Sequence, residues 1–149
     1  MGERLAAHDA DVIRMTANGQ KNLIILFVED DLNVRETTTD LLSFTGATVL
    51  TAASGHEASR FLEANDVDLV ITDLSMPDGD GNWLLGWIRS SPRHQNTKVV
   101  IMSAHAQDER VEAGLKAGAD GYLTKPFDPG KLIATVTRYL NSASGRADF

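Results

Sequence analysis

The chain has 149 residues, 42% of them hydrophobic and 23% charged, with no cysteine and a formal net charge of −7. This length suits one domain with its own core, and the ordinary aliphatic content excludes wholesale disorder. Lack of cysteine excludes a disulfide scaffold, a thiolate metal site and a cysteine nucleophile. The acidic balance argues against direct binding of nucleic acid through phosphate contacts. The longest apolar run, Leu23 to Val28, is far short of the roughly 20 residues a membrane span needs. The first residues lack the charged-then-apolar pattern of a secretory signal, and Ala6 stands where a myristoylation site wants Ser or Thr. A cytoplasmic protein is expected.

In chain order, residues 1–20 read as an N-terminal extension. Leu5, Ala6, Val12 and Ile13 carry helical spacing that would end near Asn18-Gly19, either as a loose terminus or as a linker or dimerisation helix. A β-branched apolar run, Leu23 to Val28, predicts a first strand, and Asp31 to Phe44 a helix that Thr37-Thr38-Thr39 weakens on propensity. Ala47–Thr51 predicts a weaker second strand. Ser54-Gly55-His56-Glu57 is a capping box opening a helix to about Ala64. Asp68–Thr72 reads as a third strand, Asn82–Arg89 as a helix, Lys98–Met102 as a fourth strand, and Gln107–Lys116 as a helix closed by Gly118. Gly121–Thr124 predicts the fifth strand. Asp128-Pro129 then starts a helix to about Leu140, with apolar positions at Leu132, Ile133, Val136 and Leu140. Residues 142–149 read as a flexible tail. Continuous apolar strands alternating with helices predict an α/β fold: a (βα)5 doubly wound, five-stranded parallel sheet with helices on both faces.

Ligands of open α/β sheets bind beyond the C-terminal ends of the strands. There the sequence places Glu29-Asp30-Asp31, Asp73, Ser103-Ala104 and Lys125-Pro126. Carboxylates so close cannot all stay ionised without a cation. A hard divalent ion with oxygen ligands is the natural partner, Mg²⁺ first and Mn²⁺ second. A carboxylate nucleophile, a metal, a hydroxyl and a lysine together make a phosphoryl-transfer site. Asp31, at the turn into the first helix, reads as an N-terminal helix acid rather than a ligand. His56, in a capping turn, and His94, in a polar loop, are expected to be solvated. His8 belongs to the extension.

The segments Ile25–Asp31, Val70–Gly81, Ile101–His105 and Ala117–Phe127 resemble the response-regulator receiver domain of two-component phosphorelay signalling, over about residues 21–141. The resemblance implies a flavodoxin-like receiver fold in which Asp73 is the phosphoacceptor, attacking the phosphorus of a phosphohistidine. It implies Asp30 as a direct Mg²⁺ ligand, Glu29 as one through water, and Asp73 and the backbone carbonyl of Ser75 completing the set. Ser103 would hydrogen-bond the new phosphoryl group and Lys125 would pair with it. Tyr122 would be the switch aromatic, Ser75 and His105 would tune the phosphoryl lifetime, and the Lys125-Pro126 bond would be cis. The implied donor is a sensor histidine kinase or a histidine phosphotransfer protein. Output would pass to an unidentified downstream protein from the face between the fourth and fifth helices. No turnover of an external substrate is implied, only self-phosphorylation and slow self-dephosphorylation, in a monomer or weak dimer.

Trp83 and Trp87 depart from this pattern. They sit at i, i+4 on the third helix, while Leu84, Leu85 and Ile88 are expected to face the sheet. The tryptophans would turn partly outward, as a partner patch or as a cover on the helix flank. Three other readings compete. An aspartyl-nucleophile phosphatase needs a second carboxylate two residues after the nucleophile, where Ser75 stands. A degenerate receiver, acting as a phosphorylation-independent binding module, fits poorly with the intact acidic and lysine set. A nucleotide or flavin binder would want glycines and backbone donors, not Glu29-Asp30-Asp31. No helix-turn-helix or basic stretch follows residue 141, so either a stand-alone receiver or a piece of a larger regulator or hybrid kinase is expected.

Overall fold

A computed structural model describes residues 22–105 and 107–143. The expected N-terminal helix, His8 and most of the tail lie outside the described residues. Five strands, β1 (Ile24–Val28), β2 (Thr48–Ala52), β3 (Leu69–Asp73), β4 (Lys98–Ser103) and β5 (Gly121–Thr124), alternate with five helices. These are α1 (Leu32–Leu42), α2 (Gly55–Ala64), α3 (Gly81–Ser90), α4 (Glu109–Lys116) and α5 (Pro129–Ala143). The strands form one parallel sheet in the order β2-β1-β3-β4-β5.

Strand burial follows that order. The central β1 and β3 are buried at every position, whereas the edge strands β2 and β5 are only partly covered. Pleating sends alternate residues to opposite faces. From β1, Ile24, Leu26 and Val28 join Ala58, Leu62, Leu84, Leu85 and Ile88 of α2 and α3. Ile25 and Phe27 join Leu42, Leu132, Val136 and Leu140 of α1 and α5. Ile101 packs with Leu74 and with Val111 of α4. Each fully buried Leu or Ile stabilises the fold by about 1.5–3 kcal/mol, so the two-sided core specifies both sheet order and register.

Helix starts match the capping residues. Asp31 accepts from the Val34 amide, Ser54 from Glu57 and Asp80 from Trp83, while Asp128 accepts from Lys131. Each replaces a hydrogen bond that a helix N-terminus lacks, worth about 1 kcal/mol. α1 is helical despite its threonine run, because Thr38 and Thr39 are buried against the fold; packing overrides propensity. It ends earlier than expected, at Leu42, where a 3₁₀ turn over Ser43–Thr45 closes on left-handed Gly46. α5 continues to Ala143, beyond the expected Leu140. Among the described residues, no helix is long and apolar enough to cross a membrane.

The expectation for His94 also fails. His94 is 2% exposed rather than solvated. Its Nε2 lies 2.5 Å from the Leu62 carbonyl oxygen, and its ring lies beside Trp87. The polar neighbours in sequence gave no sign that the turn after α3 folds back onto the end of α2. His56 is half-exposed, and not simply solvated as expected.

Two glycines separate conformational from steric demand. A Cβ on Gly81 would lie 2.6 Å from the Asp73 carbonyl oxygen, in a backbone that cannot yield cheaply, whereas one on Gly86 would meet nothing among the described residues within 4 Å. Gly81→Ala is therefore expected to destabilise the protein by about 1–3 kcal/mol. Gly86→Ala, in mid-helix, should stabilise it by about 0.5–1 kcal/mol. Urea unfolding midpoints check both signs.

Candidate functional site

The order β2-β1-β3-β4-β5 reverses direction between β1 and β3, so the loops after those two strands diverge and leave a crevice at their C-terminal ends. Glu29 and Asp30 follow β1 into that crevice, and Asp73 ends β3. One oxygen from each of these three carboxylates lies within 4.8 Å of the others. Glu29 is 2% and Asp73 7% exposed, while Asp30 is open to solvent. Lys125, one residue beyond β5, crosses the crevice. Its Nζ lies 3.0 Å from Glu29 Oε1 and 3.0 Å from Asp73 Oδ2.

The electrostatics are those of crowded acid around one base. Burial pushes the Glu29 carboxyl above its ordinary value, and the Asp73 charge adds to this. The Lys125 ammonium and the Asp31 amide, which donates to Glu29 Oε2 at 3.1 Å, oppose it. Burial also works against the Lys125 charge, but its hydrogen bonds to Glu29 and Asp73 outweigh that and hold the ammonium above its ordinary pKa. One cation thus answers two buried carboxylates, with Asp30 beside them. The set is all-oxygen and carries surplus negative charge, which is what a hard divalent cation requires.

The remaining predicted residues are distributed unevenly. Ser75 follows β3, exposed, with its amide donating to Asp73 Oδ1 at 3.4 Å. Ser103 ends β4 and is buried, but its hydroxyl turns into its own loop, donating to the His105 carbonyl oxygen at 3.0 Å. His105 is exposed beside it. The Lys125 amide donates to the Ser103 carbonyl oxygen at 2.7 Å, which ties the two strand ends together. Lys125-Pro126 is cis, as expected. Tyr122 on β5 is 42% exposed. Asp31 caps α1, as read.

The two tryptophans do not form a joint patch. Trp83 is 41% exposed and meets the His56 ring edge-on at 4.2 Å, whereas Trp87 is half-buried against the core under α2 and α3. His56 Nδ1 lies 2.6 Å from Asp78 Oδ1, and this hydrogen bond holds the Asp78 carboxyl below its usual range.

Some contributors escaped the sequence reading. Arg35 Nη1 donates to the Glu29 carbonyl oxygen at 2.8 Å, pinning the acidic turn from one helical turn away. Asp108 caps α4 and is gripped by Arg110. An Asp-x-Arg at a predicted helix start was the signal for the second. For Arg35 there was none, because its acceptor is main chain.

Comparison with known proteins agrees with this geometry. A sequence model described as the response regulator receiver domain matches residues 25–137. The transcriptional regulatory protein GltR of Pseudomonas aeruginosa is 36% identical over 87% of this chain, which spans 52% of GltR. A 14.6 kDa protein of Leptolyngbya boryana is 36% identical over 77% of the chain and 88% of its own length. The chain spans about a quarter of another relative, the response regulator protein FleR of Pseudomonas aeruginosa. Among solved structures, the chemotaxis protein CheY4 of Vibrio cholerae superposes with a TM-score of 0.74 at 29% identity, over 79% of this chain and 98% of that one. The receiver domain of a Pseudomonas aeruginosa sensor histidine kinase, with a magnesium ion in its active-site cleft, gives 0.75 at 28%, over 80% and 98%. With its sheet order, its crevice at the switch point and the family match across both, this chain belongs to the response regulator receiver domain family, the phosphoacceptor modules of two-component signalling.

Proposed function

We propose that Asp73 accepts a phosphoryl group from a phosphohistidine of a sensor histidine kinase or a histidine phosphotransfer protein. The carrying observation is the Lys125 ammonium shared between Glu29 and Asp73 at 3.0 Å each, inside a three-carboxylate crevice at the strand ends. An Asp73 carboxylate oxygen attacks phosphorus, an acyl-phosphate P–O bond forms, and the P–N bond to the donor imidazole breaks. The imidazole leaves with the P–N electron pair and takes up a proton. Lys125, already paired with Asp73, turns to the phosphoryl oxygens, and Ser103 supplies a hydroxyl donor to them.

Asp30, Glu29 and Asp73, with the Ser75 carbonyl, would hold Mg²⁺, and the fit rests on the buried surplus of carboxylate over ammonium. Bound there, the ion would neutralise phosphoryl oxygens. The acquired charge, about −1.5 to −2, biases a two-state equilibrium of the loops after β3 and β4. The readout surface is the α4-β5-α5 face, where Leu115 and Tyr122 are exposed, acting on a downstream protein. The functional unit is residues 21–141, and the setting inferred is cytoplasmic. An enzyme with turnover on an external substrate is disfavoured, because Ser75 stands where an aspartyl phosphatase wants its acid.

Incubation with Mg²⁺ and acetyl phosphate is expected to add one phosphoryl mass to the wild type. The adduct should be missing after chelation and missing in Asp73→Asn; an adduct that persists in that variant overturns the assignment. Ser75→Ala, which keeps the backbone carbonyl, should bind Mg²⁺ as the wild type does, read by titration calorimetry.

The buried Glu29 also sets a pH dependence. A carboxyl whose folded pKa is raised favours the fold while protonated, so in metal-free buffer the protein loses this contribution as pH rises from 4.5 through the group's titration. Glu29→Gln, which keeps an acceptor for Lys125, is expected to unfold at a higher temperature than wild type in EDTA at pH 8. The difference should narrow toward pH 4. The wild type should gain stability on adding Mg²⁺, and the variant should gain less. Equal melting curves across this range would refute the charge-crowding account.

A further inference from the structure

Ser103 has one hydroxyl proton and two acceptors in reach. The His105 carbonyl oxygen lies at 3.0 Å and Asp108 Oδ2 at 3.4 Å, while Ser103 Oγ itself accepts from the His105 amide at 3.1 Å. Asp108 is in turn held by Arg110. The Arg110 amide and Nε donate to Oδ1 at 2.9 and 3.2 Å, and Nη2 donates to Oδ2 at 2.8 Å. This fork keeps the Asp108 carboxyl down at about 2, with the Ser103 hydroxyl a lesser contributor. Ser103 and Arg110 therefore share one acceptor oxygen, with the shorter contact to Arg110.

The clasp also reaches the other wall of the crevice. Asn82 of α3 donates from Nδ2 to the Arg110 carbonyl oxygen at 3.1 Å, and its Oδ1 is buried with no hydrogen-bond partner among the described residues. The residue before it, Gly81, donates its amide to the carbonyl oxygen of Leu74, next to Asp73. The Arg110 guanidinium feels the Asp80 and Asp73 charges as well as that of Asp108.

We propose that Asp108 is a positioning residue for Ser103, holding its hydroxyl away from the phosphoryl position in the resting state, and that Arg110 weakens this hold by drawing the carboxylate to itself. The inference rests on the reading of Asp73 as phosphoacceptor and Ser103 as a phosphoryl ligand. For Ser103 to donate to a phosphoryl oxygen, its proton must leave both the His105 carbonyl and Asp108. The more of the Asp108 charge Arg110 occupies, the less that transfer costs. A phosphoryl group on Asp73 works in the same direction, because its negative charge repels Asp108 and offers the Ser103 hydroxyl another acceptor. The position of Ser103 is thus set by a three-way competition outside the metal and lysine set.

Binding of beryllofluoride with Mg²⁺, followed by 19F NMR, measures how readily the site adopts the phosphoryl-bound arrangement. Asp108→Asn keeps an acceptor for the helix amide but removes the charge, and it is expected to bind beryllofluoride about threefold to tenfold more tightly, the worth of one weak charge-assisted hydrogen bond. Arg110→Met removes both guanidinium contacts, leaves the backbone amide on Oδ1 and frees Oδ2 for Ser103, and should weaken binding by a similar factor. In a Ser103→Ala background both effects should vanish, because the hydroxyl they act through is gone. A residue that only caps α4 predicts otherwise: Asp108→Asn near wild type and Asp108→Ala weaker through lost stability. Variants that match wild type, or that all shift one way, overturn the inference while leaving the phosphoacceptor reading intact. A wild type that neither binds beryllofluoride nor takes a phosphoryl adduct overturns both.

Discussion

Everything at the working end of this molecule depends on one ammonium serving two buried carboxylates. Lys125 at 3.0 Å from both Glu29 and Asp73 joins the end of β5 to the ends of β1 and β3. It does so where Glu29 is almost wholly removed from water. One ammonium does not balance three clustered acids, so the cluster carries surplus negative charge. That imbalance suits it to a divalent cation, whose charge would in turn offset that of an incoming phosphoryl group. Removing Lys125 from such a buried set would leave uncompensated carboxylate charge and cost more than its pairs contribute.

The scaffold makes that imbalance tolerable. β1 and β3 are buried along their whole length, and their residues alternate between two cores, one under α2 and α3 and the other under α1 and α5. A slip of one residue would invert every side chain, so the register that packs the core also fixes where Glu29 and Asp73 emerge. Gly81 lets α3 start against the Asp73 carbonyl, and Arg35 holds the Glu29 carbonyl from α1. Rigid strand ends present the acids, while the loops after β3 and β4 keep the polar, partly exposed bonds that can be exchanged at small cost.

The Ser103, Asp108 and Arg110 contacts fit that division. Ser103 is fixed in β4, yet its hydroxyl is committed to loop acceptors that are themselves contested. Trp83, His56 and Asp78 form a second polar-aromatic contact, between the starts of α2 and α3. This gives Trp83 an intramolecular neighbour, whereas the spacing of the two tryptophans alone suggested a shared outward face.

Element order, the parallel sheet and the residues gathered at its C-terminal edge are legible in the succession of residue types. Continuous β-branched runs, capping boxes and the positions of Gly118 and Pro129 are local signals, and local signals survive folding. The same signals place carboxylates, a hydroxyl and a lysine at that edge, because Glu29, Asp30, Asp73, Ser103 and Lys125 each end or closely follow a strand whose end is legible. Features whose partner lies far along the chain or on the backbone emerge only once the chain is folded. His94 is buried because the Leu62 carbonyl, distant in sequence, needs a partner. The α1 threonines are helical because burial outweighs their propensity. Trp83 and Trp87 part company because helix rotation against the sheet, not their spacing, sets exposure. Ser103 turns toward the His105 carbonyl, with Asp108 beyond it, because a hydroxyl rotor follows the nearest acceptors, which no pattern of residue types encodes.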